Sequence, residues 1–114
     1  METYDILLKQ IDALVARAAR SRGDDELLVE IEDVLSDGYT VALSGEARMV
    51  QLEEELDSLL NSADRRRARE LRMLLTEHRA TERSVATLRS MLARLHQEFV
   101  ALGGARLTGR GCVG

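Results

Sequence analysis

LRMLLTEHRATERSVATLRSMLARLHQEFVAL, residues 71–102, decides the fold. Taken in alternating steps of three and four it presents Leu71, Leu74, His78, Thr81, Val85, Leu88, Leu92, Leu95, Phe99 and Leu102, a seven-residue repeat unbroken over 32 positions. Steps of three and four return a helix to the same face, and such a face sustained over several heptads is the seam of a coiled coil. A second seam lies upstream at Leu28, Ile31, Leu35, Gly38, Ala42, Gly45, Met49, Leu52, Leu56 and Leu59. Between the two stands Asn61-Ser62-Ala63-Asp64, with Ser62 or Asp64 as a helix cap. So short a link makes the second long helix the antiparallel neighbour of the first.

The predicted fold class is therefore all-α: a long antiparallel helical hairpin, coiled-coil-like, with a shorter N-terminal helix packed at its open end. Helices are expected over about 3–21, 25–60 and 64–102, forming a single helical domain at 1–102. The first carries Tyr4, Leu7, Leu8, Ile11, Leu14, Val15 and Ala18 on one face. Gly23 stops it, Asp24 caps the next, and Asp25 and Glu26 favour the positive end of that helix. At 1.5 Å per residue the first helix is roughly 28 Å long against roughly 55 Å for the hairpin, so it covers only about half. Leu27, Val34, Val41 and Met91 widen the two seams at the open end, which is where it should pack. The last helix stops at Gly103-Gly104, leaving a flexible Gly-rich tail at 103–114 that reads first as a frayed terminus and, in the alternative, as a docking peptide with Leu107 and Val113 as apolar anchors.

The doubtful stretch is Asp37-Gly38 and Ser44-Gly45, since each glycine costs a helix about 1 kcal/mol relative to alanine. Both glycines keep the phase of the seam, as does Ala42, and a loop has no reason to do so; continuity is the expectation. Pairing about the link sets Gly45 near His78 and Thr81, and Gly38 near Val85 and Leu88. That predicts a polar core layer of His78, Thr81 and Glu46, with His78 reaching Glu46 or a backbone carbonyl. It also predicts, at Gly38, Ala42 and Gly45, space that a neighbouring chain would fill.

Composition narrows the function. Hydrophobic residues make up 45% and charged residues 32%, the mixture of amphipathic helices, and proline is absent. Aromatics are 3%, only Tyr4, Tyr39 and Phe99, which argues against an aromatic-lined small-molecule site. A net charge of −4 and a pI near 5.2 disfavour nucleic acid and anionic membrane as partners. No apolar run approaches the roughly 18 residues of a membrane span, and the N-terminus is acidic where a signal peptide is basic. A soluble cytoplasmic protein is expected, and the lone cysteine, Cys112, fits a reducing compartment.

No catalytic or cofactor motif is present in the sequence, and neither a metal nor another cofactor is expected. His78 and His96 lie on one helix about 27 Å apart, too far to share a metal. A buried acid–histidine pair at Glu46 and His78 is the only enzyme-like arrangement the spacing offers. Arg65, Arg66, Arg67, Arg69 and Arg72 invite a nucleic-acid reading, but the hairpin sets Glu53, Glu54, Glu55 and Asp57 alongside, with Glu70 nearby. The expectation is a compensated surface. Toward the tip, Val50, Leu60, Met73 and Leu75 stand outside the seams as an interaction surface. The sequence thus reads as a non-enzymatic oligomerisation or protein-interaction module, whose partner is itself, as a homodimer, or another protein; the alternative is a regulatory adaptor touching nucleic acid through the arginines.

Overall fold

The computed structural model describes residues 2–20, 25–61 and 67–103, and 97% of these are helical. Helix α1 spans Glu2–Arg20, α2 Asp25–Leu60 and α3 Arg67–Ala101. In α1, Glu2 and Asp5 occupy the first turn and Arg17 and Arg20 the last, matching both ends of the helix dipole. Asp25 and Glu26 do the same at the start of α2. Gly103 ends the last helix with φ of 95°, its N–H bonding to the Val100 carbonyl at 3.0 Å, the left-handed stop that glycine adopts without strain. The expected stop and cap at Gly23 and Asp24, the link caps Ser62 and Asp64, and the tail from 104 with Cys112 lie outside the described residues.

Helices α2 and α3 pack along each other as the long hairpin, and α1 packs onto both at the open end. The core is the one the spacing predicts. Leu7, Ile11, Leu14 and Val15 of α1 meet Leu27, Leu28, Ile31 and Leu35 of α2 and Leu88, Leu92, Leu95 and Phe99 of α3 in one buried cluster. Val34, Val41 and Met91 flank it, partly buried, together with Tyr4 and Leu8. Each such side chain withdrawn from water contributes about 1.5–3 kcal/mol, so the open end holds the fold. The tip is thinner. Beyond Gly45, Leu52 is the only buried residue of α2, and no described residue of α3 before Thr81 is buried.

Helix α2 runs unbroken through Gly38 and Gly45. A methyl group at Gly38 would overlap Leu92, and one at Gly45 would overlap Val85 and the Tyr4 hydroxyl. The glycines are therefore sites of close approach within one chain, and this corrects two expectations. Gly38 opposes Leu92 rather than Val85 and Leu88, and Gly45 opposes Val85 rather than His78 and Thr81: the pairing is shifted by about one to two turns. The space at these glycines is also already filled, by Leu92, Val85 and Tyr4, so it offers no room for a neighbour. The cause is packing. A heptad seam permits several alignments, and the one adopted seats large α3 side chains against the two glycines.

Candidate protein-interaction surface

Ion pairs mark the hairpin's two flanks. On one, Arg48 Nε and a terminal guanidinium nitrogen donate to Glu77 Oε2 and Oε1 at 2.8 and 3.1 Å. Small hollows on this side are lined by Thr3, Tyr4, Val41, Arg48 and Thr81, and by Leu8, Asp12, Thr87 and Met91, so it is the flank α1 covers. Arg17 of α1 adds a 2.7 Å pair with Glu30 of α2. On the far flank, Arg89 Nε donates to Glu46 Oε1 at 2.6 Å, and His78 Nε2 lies 3.1 Å from Glu53 Oε1.

These contacts revise the polar layer. Glu46 is held by Arg89, and His78 by Glu53, so the expected Glu46–His78 pair does not form. The shifted alignment carries His78 about two turns nearer the tip than Glu46. Its side chain retains 18% of its exposure and Glu53 retains 59%, a wet pair at the rim rather than a buried acid and base. Thr81 is buried beside the hollow under Tyr4. Burial pushes the Tyr4 phenol above its usual range. Glu77 moves below the usual glutamate range because Arg48 donates to its carboxylate, and the same bond raises Arg48. Among the described residues no three His, Cys, Asp or Glu side chains gather as a metal site, and no helix is long and apolar enough to cross a membrane.

The arginine run is described from Arg67 onward, with Arg65 and Arg66 outside the described residues. Arg67 donates to the Leu60 carbonyl at 3.5 Å, bracing the end of α2. Two of the acids expected to neutralise the run are engaged elsewhere, Glu53 with His78 and Glu55 with Arg48. Glu54, Asp57 and Glu70 stay exposed beside exposed Arg69 and Arg72, so the tip is a surface of mixed sign.

Val50, Leu60, Met73 and Leu75 are all exposed, as the spacing predicts, but they do not form one patch. Met73 lies on the α1 flank, where the groove that α1 leaves empty continues as an open hollow of about 810 Å³ walled by Glu54, Glu55, Glu70, Leu59 and Leu74. Val50 and Leu60 share a hollow with Glu53, on the far flank. Leu75 joins them there. Leu60 and Leu75 stand fourteen residues after Glu46 and fourteen before Arg89, in the same relation across the hairpin as that ion pair.

Reading the sequence for seams alone overlooks three further residues. Val29, Tyr39 and Leu43 are exposed on the same stripe of α2 as Val50 and Leu60. The signal was present in steps of three and four through Val29, Glu32, Ser36, Tyr39, Leu43, Glu46, Val50, Glu53, Asp57 and Leu60, one position after the main seam. Its acids dilute it. The far flank thus carries five exposed apolar residues interspersed with five polar ones along α2, including the half that α1 covers only from the other side. No family model, no curated protein and no solved structure matches the chain.

Proposed function

We propose that this protein is a non-enzymatic helical oligomerisation module, a hairpin that joins a second copy of itself or another protein through its uncovered apolar surface. The observation that supports this reading is the exposure of Val50 at 53% and Leu60 at 59%, with Leu75 exposed on the same flank. Removing such surface from water is worth about 25 cal/mol per Å², and an extended apolar stripe is a usual mark of association. Homodimers are the commonest soluble oligomers, which sets the default.

The test is mass by light scattering across a concentration series. Wild-type protein is expected to reach the dimer mass by tens of micromolar, and Leu60→Glu with Leu75→Glu to remain monomeric, equally helical and lower-melting than the wild-type dimer. A wild-type protein that stays monomeric would overturn self-association.

A further inference from the structure

We propose that two copies pack through the far flank with their α2 helices antiparallel, about a two-fold axis level with Ser44 and Gly45. This rests on the self-association proposed above and names the surface that makes it. All five large apolar residues that α2 exposes fall on one stripe: Val29, Tyr39, Leu43, Val50 and Leu60. The spacing of the outer four is mirrored about a point between Ser44 and Gly45. Val29 stands as far before that point as Leu60 stands beyond it, and Tyr39 as far before it as Val50 beyond. An antiparallel two-fold pairing therefore sets Val29 of each copy against Leu60 of the other, Tyr39 against Val50, and, beside the axis, Leu43 against Glu46, whose carboxylate Arg89 of its own chain holds. A partner of different sequence would require no such mirror.

Helix α3 agrees independently. Gly45 opposes Val85, so the axis passes α3 beside Ala86, whose single methyl permits close approach. Glu82 and Arg89 lie on either side of Ala86, on the flank that carries the Glu46–Arg89 pair. The two-fold then brings Glu82 of each copy to Arg89 of the other, a complementary charge pair made twice. The like charges this alignment opposes, Glu32 and Asp57, meet near the ends of the face, where water and salt screen them. The area suffices. Two helices roughly 54 Å long and together about 18–20 Å wide present about 1,000 Å², against about 800 Å² per partner in a stable interface.

The axis is tested by a distance. With Cys112→Ser to leave one thiol, and Asn61→Cys carrying a nitroxide at the tip, the dimer should give a label separation of about 50 Å, twice the rise from the axis to residue 61. Tyr39→Glu with Leu43→Glu, distant from the tip, should raise the dimer dissociation constant at least about tenfold, while Ile6→Glu on the outer face of α1 leaves it unchanged. All three side chains are exposed in the single chain, so helicity by circular dichroism should hold. A dimer with labels about 20–30 Å apart, or one indifferent to the Tyr39 and Leu43 changes, overturns this arrangement and leaves self-association standing. A wild-type protein that is monomeric at tens of micromolar overturns both.

Discussion

Gly45 shows how much can depend on a missing side chain. Alanine there would raise helix propensity by about 1 kcal/mol, yet its methyl would strike Val85 Cγ2 and the Tyr4 hydroxyl. Tyr4 can swing aside, but Val85 is β-branched, buried and stiff about χ1, so the clash prevails. Gly45→Ala is expected to lower stability by about 1 kcal/mol in a chemical-denaturation midpoint, and a gain would show that the approach is slack. Leu92→Ala, at a fully buried position, should cost about 2–5 kcal/mol by the same measurement. Arg17→Ala should cost no more than about 1, because its pair with Glu30 is half exposed. The carboxylate of Glu77 titrates below its ordinary range through the Arg48 bonds, so the stability it adds is complete above about pH 5 and is lost as pH falls through the folded-state value. The difference in melting temperature between wild type and Glu77→Gln should accordingly be present at pH 6 and vanish toward pH 3. Exposure keeps it small, and a difference that grew on acidification would contradict the assigned cause.

At the scale of elements, the phase of each seam was legible because every buried residue of α2 and α3 but Leu27 falls on it, and Leu27 is the residue that widening toward α1 accounts for. Coverage by α1 was legible too, from Leu27, Val34, Val41 and Met91. The alignment of the two long helices was not. Sliding one heptad seam past another keeps leucine against leucine, and the choice is made by how Leu92 and Val85 nest against Gly38 and Gly45, which no spacing rule reports. With the alignment went the partner of His78. The far-flank stripe is only half legible, since Glu32, Glu46, Glu53 and Asp57 interrupt it: Val50 and Leu60 stand out beside the bare half of the seam, whereas Tyr39 and Leu43 lie where α1 already accounts for the widening. Uneven coverage also predicts uneven opening. In the monomeric Leu60→Glu, Leu75→Glu variant, amide exchange should be faster over 50–60 and 70–80 than over 28–38 and 88–99, where a third helix adds buried contacts; uniform protection would show the tip to be as firmly held as the open end.

The whole molecule joins a mildly acidic surface to an elongated frame of 61 × 31 × 15 Å. Among the described residues of its tip, exposed Arg67, Arg69 and Arg72 stand with exposed Glu54, Asp57 and Glu70, a mixture of signs that we expect to hold a phosphate backbone weakly. At near-physiological salt no retention on DNA or RNA is expected. Micromolar binding that weakens steeply with salt and disappears when Arg65, Arg66 and Arg67 are replaced would promote the tip to a nucleic-acid site.

The same elongation governs how the protein moves through solution. A compact chain of this length has a radius of gyration near 13 Å by the usual scaling, whereas this one has 18.8 Å, a value that scaling assigns to about 280 residues. Friction follows extent rather than mass. A single copy should diffuse slowly and leave a gel-filtration column early, like a globular protein more than twice its weight, and its passage through any pore or crowded medium should depend on whether it travels end-on.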